Sequence, residues 1–315
     1  MATASGVRKS VFVEEWWLDA ASGGAWAAVS VERDRRIEGW LPYGLGRSMG
    51  FSRCGVPELT RLLYPVLDVS AHKGETLHRT RFQVETELIG RLPRAASYEF
   101  ILPPDHGNAL AWQALGFDAR VQHTFVIDTG ATTAEQWGRL RNKTRNVIRR
   151  AGDVLQVRDL TVDEFAREYA TNLGGAVDAA HVAVMRRIVE SAIARGQGRA
   201  LAAVDAQGRI HAAVVFVWDA TDYYYYLSTR NAVHAELGAV GLLVWTGIED
   251  AVSRGLRFDF DGVSSRARLR FLQSFGGRLA SRIVVTRGSA AYETRMLLRR
   301  IRRRLEARAP GERFY

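Results

Sequence analysis

The sequence predicts a mixed α+β fold, and the pattern is clearest in its second half. Helical segments there precede three short apolar strands, at 199–204, 209–218 and 223–229. A helix over 238–254 then leads to a strand at 256–260, which is the order of a crossover connection to a parallel neighbour. We expect the sheet to open where antiparallel pairing changes to parallel pairing, because such a gap exposes backbone groups to a ligand.

The first half shows a weaker alternation of strands and helices. Strand-like runs at 25–31 and 36–43 flank the turn-prone Arg33-Asp34-Arg35. Residues 42–57 are punctuated by glycine and proline, which predicts an extended loop system. The remaining predicted elements before residue 128 are a helix at 76–91, a strand at 98–102, a short helix at 108–115 and a strand at 119–127.

One long helix is predicted from Thr132 to Gly152. Thr132 and Glu135 have the spacing of a capping box, and Gly152 stands where a left-handed C-cap is expected. The remaining predicted elements are helices at 164–171, 179–195 and 264–274, a strand at 279–286 and a helix at 290–308. We divide the chain into domains of residues 1–128 and 129–315, with the terminal helix in the second.

Composition excludes several classes of protein. The chain has 315 residues, of which 47% are hydrophobic and 25% charged, so wholesale disorder is excluded. The single cysteine, Cys54, cannot form an internal disulfide, and no cluster of histidine and cysteine predicts a metal site. The N-terminus lacks the apolar core of a signal peptide, and the longest apolar run, 237–248, is about half the ~20 residues that span a bilayer. We therefore expect a cytoplasmic protein without a membrane span.

The charge of the chain is strongly positive. The 44 basic residues exceed the 34 acidic ones, for a formal net charge of +10, and all but Lys9, Lys73 and Lys143 are arginines. This excess has two explanations, an arginine-rich composition or a polyanionic partner such as RNA or a phosphate-bearing substrate.

Several segments together resemble a known family in their order and spacing. They are Arg141–Gly152, Tyr223–Ser228, Phe258–Gly262 and Phe271–Gly276, with 111–117 and 124–128 upstream. The chain resembles the Fem-type (FemABX-like) aminoacyl-tRNA-dependent acyltransferases. That resemblance implies two tandem GNAT-like domains (the acyl-CoA N-acyltransferase fold) with mixed, splayed sheets, the first of them abbreviated here.

The resemblance also implies an activity. Aminoacyl-tRNA would serve as co-substrate, without a bound cofactor, and the acceptor would be an amine of a peptide, a peptidoglycan precursor or a natural product such as an antibiotic. A sister branch uses acyl-CoA, which is the first alternative; a non-catalytic RNA-binding protein is the second. Gly238 and Gly241 are spaced by two residues where a CoA pyrophosphate loop has one, Ala235 occupies its basic position and Glu236 adds negative charge. These departures disfavour CoA.

Two aspartates are the candidate catalytic residues. Asp259 and Asp261 alternate with phenylalanines, so in a strand they share one face. Asp261 ends the strand beside Gly262 and could accept the proton of the acceptor amine; it could equally cap the next helix or pair with an arginine. Ser264 and Ser265 are candidate substrate contacts, with N-capping as the alternative.

A cationic stripe is the main candidate for anion binding. Arg141, Arg145 and Arg149 recur at i, i+4 and i+8 of the predicted helix, Lys143 lies beside them, and no acidic i+4 partner neutralises them. Guanidinium groups bind phosphate bidentately, so we predict a phosphate contact here.

Two further segments carry candidate contacts. Tyr224 and Tyr226 either pack in the core or contact the acceptor, and Arg230 follows at the strand end, where it could contact phosphate. In the terminal helix we expect Leu298, Ile301 and Leu305 to pack inward. Arg299, Arg302 and Arg303 would then be exposed and bind RNA.

Overall fold

A computed structural model describes residues 9–69, 73–231 and 238–306. The strands are β1 (Trp26–Arg33), β2 (Arg36–Ser48), β3 (Phe51–Gly55), β4 (Val66–Leu67), β5 (Ser97–Leu102), β6 (Asp118–Ile127), β7 (Gln156–Asp159), β8 (Gly198–Val204), β9 (Ile210–Trp218), β10 (Asp222–Arg230), β11 (Arg257–Asp259) and β12 (Arg278–Gly288). The helices are α1 (Glu15–Ser22), α2 (Gly74–Gly90), α3 (Leu110–Ala114), α4 (Thr133–Arg139), α5 (Asn142–Val154), α6 (Val162–Leu173), α7 (Ala179–Ala194), α8 (Ala239–Ser253), α9 (Arg266–Leu272) and α10 (Ala290–Glu306).

The described chain forms two compact units. The first comprises the described residues up to Gln122 and those from Ser281 onward, and the second comprises His123–Ala280. The chain end therefore belongs to the first unit and not, as predicted, to a second domain of residues 129–315. The difference arises because β12 pairs antiparallel with β5, from Ile283 opposite Leu102 onward, and these backbone hydrogen bonds join the chain end to the first unit.

The first unit contains a mixed sheet in the order β1-β2-β3-β5-β12, with β4 paired to β2. The prediction of a loop over 42–57 is wrong, because β2 continues to Ser48 and β3 follows it. Gly55 has a φ of +138°, and a Cβ there would lie 2.0 Å from the carbonyl oxygen of Glu99. The glycine thus permits close strand contact rather than a loop.

The second unit contains the sheet β6-β11-β10-β9-β8-β7. β10 and β11 are parallel over only three residues, Asp222–Tyr224 against Arg257–Asp259, whereas β10 remains paired with β9 as far as Arg230. The expected opening at the switch from antiparallel to parallel pairing is therefore confirmed, as is the mixed α+β class. Sequence analysis did not find β7, which pairs antiparallel with β8.

The prediction of one long helix over 132–152 is wrong, because this segment forms two helices, α4 and α5. The capping box of Thr132 and Glu135 is present, but Leu140 and Arg141 adopt extended backbone, with ψ of 146° and 141°. The N–H of Arg141 donates to the carbonyl of Ser274 at 3.0 Å in place of a helical bond. Gly152 lies inside α5, which continues to Val154, so it is not a left-handed C-cap.

Helix α8 lies unusually close to its sheet and to α5. A Cβ at Gly247 would lie 2.3 Å from the ring of Phe216 on β9, and one at Gly238 would lie 2.5 Å from Cγ1 of Val147 on α5. The core of this unit is built around α8 and this aromatic face of the sheet, where Phe216 and Phe258 are fully buried.

The terminal helix differs from expectation. Leu298 and Ile301, predicted to pack inward, are 58% and 47% exposed, because the core of the first unit does not reach this face of α10. Arg299 and Arg302 are exposed as predicted, whereas the side chains of Arg303 and Leu305 lie outside the described ones. Within the described ranges no helix is long and apolar enough to cross a membrane.

Candidate functional site

A cavity of about 410 Å³ opens in the second unit where α5 and α8 begin. Its lining includes Arg141, Lys143 and Thr144 from the start of α5, Gly238, Ala239, Val240 and Gly241 from the start of α8, and Arg230, Arg270, Phe271 and Ser274 from neighbouring elements. This volume is in the range of pockets that hold small ligands or part of a larger one.

Both helices present uncapped N-termini to this cavity. Gly238 precedes α8 with a φ of +70°, and Arg141 precedes α5; neither position provides a side-chain cap. The first N–H groups of a helix have no intrahelical partner, and the helix dipole places partial positive charge there. Two such termini, on helices of 15 and 13 residues, make the cavity attractive to an anion.

Four basic side chains reinforce that potential. Arg141, Lys143, Arg230 and Arg270 line the cavity, and all four residues are exposed. Among the described residues that line it, none is acidic. A phosphate or carboxylate bound here would therefore meet cations and helix N-termini.

Arg141, Lys143 and Arg230, which were predicted to contact an anion, thus lie at the cavity, whereas Arg145 and Arg149 of the predicted stripe do not line it. The guanidinium of Arg145 donates to the carbonyl of Gly138 at 3.0 Å, and that of Arg149 lies 5.4 Å from the ring centroid of Trp137. The break between α4 and α5 explains this placement, because the Arg145 side chain donates hydrogen bonds to carbonyl groups in the last turn of α4. A phosphate contact of Arg145 and Arg149 stays a prediction.

The two predicted catalytic aspartates have unequal surroundings. Asp259 is 2% exposed, and its Oδ1 accepts hydrogen bonds from Thr124 Oγ1 at 2.6 Å and from the N–H of Asp261 at 2.8 Å. Asp261 is half-buried and has a φ of +57°. Neither lines the cavity. The contacts of Asp259 explain it as the residue that holds this turn. A catalytic role of Asp261 stays a prediction.

The remaining predicted contacts lie away from the cavity. Tyr224 and Tyr226 are each 2% exposed, in keeping with the packing alternative. Ser265 accepts a hydrogen bond from the N–H of Arg268 at 3.2 Å and so caps α9, as its alternative reading proposed. Ser264 is exposed, and neither serine lines the cavity.

Several lining residues were not among the predicted contacts. Arg270, Phe271 and Ser274 enter the cavity from α9 and the turn after it, a segment predicted as a helix and as part of the family resemblance. His211 also lines it; the residue is buried, and its Nε2 lies 2.9 Å from Oδ2 of Asp205. The hydrogen bonds from His211 and Arg209 hold the pKa of Asp205 well below its usual range. Arg270 could have been predicted as an anion contact, because its positive charge directly precedes Phe271–Gly276, a segment that carries the family resemblance.

The thiol of Cys54 and the potential metal ligands of the described chain can be compared with the environments that catalysis and metal binding need. Cys54 is buried, and that burial raises the pKa of its thiol to about 12, so it stays protonated at neutral pH. Among the described residues no group of His, Cys, Asp and Glu is arranged to hold a metal ion.

Comparisons with known proteins fit this architecture. Residues 138–265, which form most of the cavity, match the family model for the acetyltransferase (GNAT) domain. A crystal structure of FemX has a TM-score of 0.65 at 12% identity and covers 87% of this chain and 91% of its own. A tandem GNAT protein from the clavulanic acid biosynthesis pathway has a TM-score of 0.52 at 13% identity and covers 87% and 94%.

A third similar structure is a conserved protein of unknown function from Bacteroides thetaiotaomicron, with a TM-score of 0.53 at 8% identity; it covers 86% of this chain and 89% of its own. No curated protein matches the sequence. Together the comparisons show a GNAT fold like that of tandem GNAT proteins and FemX, and the match to the acetyltransferase (GNAT) domain lies in the second unit.

Proposed function

We propose that the protein transfers an aminoacyl group from aminoacyl-tRNA to an amine of a peptide, a peptidoglycan-precursor-like molecule or a natural product. The observation that carries the proposal is the cationic cavity at the N-termini of α5 and α8. It offers four basic side chains and two helix termini to the phosphates of a nucleic-acid donor. The resemblance of the sequence to the Fem-type family implies the same class of donor, and the fold similarity to FemX is in keeping with that resemblance.

The reaction needs little from the protein beyond positioning and charge. The neutral amine attacks the ester carbonyl carbon, so that a C–N bond forms and the C–O bond to the terminal ribose of the tRNA breaks. One proton leaves the amine nitrogen, and one is taken up by the ribose oxygen. We assign the proton acceptor to the half-buried carboxylate of Asp261, and stabilisation of the tetrahedral oxyanion to backbone N–H groups.

Acyl-CoA is the second candidate donor, and one observation favours it. The start of α8 lines the cavity, and an uncapped helix terminus fits the pyrophosphate of CoA as well as that of any nucleotide. The match of residues 138–265 to an acetyltransferase domain is in keeping with it. Against it stand Ala235 and Glu236, which depart from a pyrophosphate loop in sequence and lie outside the described residues.

The donor is tested by direct transfer. The protein is incubated with a panel of amines and either radiolabelled aminoacyl-tRNA pools or radiolabelled acyl-CoAs, with and without ribonuclease. We expect product from the tRNA pools that ribonuclease abolishes. Product from acyl-CoA alone would establish the second candidate. Tight tRNA binding without product from any amine would instead indicate a non-catalytic RNA-binding protein.

A further inference from the structure

Helix α10 contacts the rest of the first unit through the side that carries Tyr292 and Arg299. The ring of Tyr292 packs edge-to-face on Phe51 with centroids 5.7 Å apart, and Nη1 of Arg299 lies 3.3 Å from Sδ of Met49. At about 100° per residue, Tyr292, Met296 and Arg299 share the side of the helix that faces these residues. On the other side of the helix, three large apolar side chains remain exposed among the described residues.

That outer side is apolar. Leu297, Leu298 and Ile301 are 56%, 58% and 47% exposed, and they fall within an arc of about 100°. Exposed apolar side chains are ordinary when they are isolated, but three on one helix face form a contiguous patch. Met49, beside the helix, is also 37% exposed.

Arginine flanks the apolar arc. Helical geometry places the exposed Arg295 and Arg302 along one edge of it. α10 carries six arginines against two glutamates, Glu293 and Glu306. We name the exposed set of Leu297, Leu298, Ile301, Arg295 and Arg302 the outer face of α10.

This combination of charge and apolar surface discriminates between partners. An RNA backbone would neutralise the arginines but would leave the leucines in water. A second copy packed symmetrically would cover the leucines but would bring two arginine-rich flanks together. An anionic phospholipid surface satisfies both, because apolar side chains enter the acyl boundary while guanidinium groups remain at the phosphates.

We propose that α10 lies in the surface of an anionic phospholipid membrane through its outer face and holds the protein there. The helix has 17 residues and too much charge to span a bilayer, so the binding is peripheral and reversible. The inference rests on α10 alone and is independent of the donor used in the second unit.

The test is sedimentation of the full chain with vesicles of phosphatidylcholine, with or without phosphatidylglycerol. We expect binding only when the anionic lipid is present, and binding that weakens as salt is raised. Leu297→Gln with Ile301→Gln should lower the vesicle partition coefficient by at least about tenfold, because it removes two apolar side chains from the acyl boundary. Arg295→Gln with Arg302→Gln should lower it to a similar extent.

Matched controls keep the result interpretable. Leu110→Gln and Arg120→Gln change exposed residues of the first unit outside α10, and they should leave the partition coefficient unchanged. Because the outer face is exposed, circular dichroism should show every variant folded. The proposal fails if the wild-type protein does not bind anionic vesicles. It also fails if RNA binds α10 and only the double substitution Arg295→Gln with Arg302→Gln weakens that binding. Loss of a dimer in the leucine pair, without vesicle binding, would assign the face to a second copy.

Discussion

The hydroxyl of Thr124 on β6 donates a 2.6 Å hydrogen bond to the buried carboxylate of Asp259 on β11. The same hydroxyl oxygen accepts the N–H of Gly262 at 3.1 Å, and the carboxylate accepts the N–H of Asp261 at 2.8 Å. These bonds connect two neighbouring strands to the turn that follows them. They also hold Asp261 at its positive φ of +57°, a conformation that costs energy for a residue with a side chain.

Replacing Asp259 should therefore lower the stability of the fold, and its effect on the reaction should be indirect. Asp259→Ala leaves the Thr124 hydroxyl and the Asp261 N–H without their acceptor, at a cost of about 1–3 kcal/mol in the free energy of unfolding. Chemical denaturation of the purified protein measures that loss. Thr124→Val should act in the same direction. Unchanged stability in both variants would contradict this account of the pair.

Asp261→Asn tests the role of the carboxylate at the same turn in the reaction without a large change in stability. Asparagine tolerates the left-handed backbone conformation, so the free energy of unfolding should change by less than about 0.5 kcal/mol. If the carboxylate accepts the proton of the amine, turnover should fall by a factor on the order of 10². Steady-state rates at saturating donor and acceptor measure this. Wild-type turnover in a folded variant would remove Asp261 from the reaction.

The cavity residues should govern donor binding. Lys143→Gln and Arg230→Gln each remove one cation from the cavity, and we expect each to raise the KM for the donor about five- to tenfold while kcat changes less. The salt dependence of donor binding should become shallower in both variants.

Arg150→Gln is the matched control for these variants, because it removes an exposed arginine from the same helix α5 but not from the cavity. It should leave the KM near the wild-type value. An equal increase in all three variants would indicate a general effect of net charge rather than a site.

Two glycines in helices should respond to alanine in opposite ways. Gly247→Ala places a methyl group against the ring of Phe216, at 2.3 Å before any relaxation, and should destabilise the protein by about 1–3 kcal/mol. Gly152→Ala, inside α5, meets no atom within 4 Å and should stabilise it by about 0.5–1 kcal/mol. Denaturation midpoints compare the two; a neutral Gly247→Ala would disprove the close contact of α8 with β9.

Stability should fall in mild acid because of a buried cluster in the first unit. Burial alone would raise the pKa of Glu85, but hydrogen bonds and charge from His106 and Arg81 outweigh it, so that the pKa lies below its ordinary value of 4.5. A carboxyl group with a lowered pKa in the folded state stabilises the fold above its unfolded pKa, and that contribution disappears as the pH falls through the folded value.

The measurement is denaturation at a series of pH values from neutral to below 4.5. The wild type should lose stability over the acidic part of that series. Glu85→Gln should be less stable at neutral pH and should show a shallower decline. A parallel decline in both proteins would mean that other carboxylates cause the acid sensitivity.

The sequence by itself determined the strands and helices whose signals are local. The meander β8–β10, the crossover through α8 and the parallel strand β11 follow from apolar periodicity and chain order, because hydrophobic pattern and handedness leave few alternatives. The capping box at Thr132 and Glu135 formed for the same local reason. Lys143 and Arg230 were found because cationic residues at element ends point to anions.

Tertiary structure decided the rest. Apolar periodicity continues through Leu140 and Arg141, and only the bond from the Arg141 N–H to Ser274, far along the chain, reveals that the helix breaks there. That break turns Arg145 toward α4 and places the start of α5 beside the start of α8. The anion-binding cavity therefore depends on contacts between distant segments, which no local pattern of residues encodes.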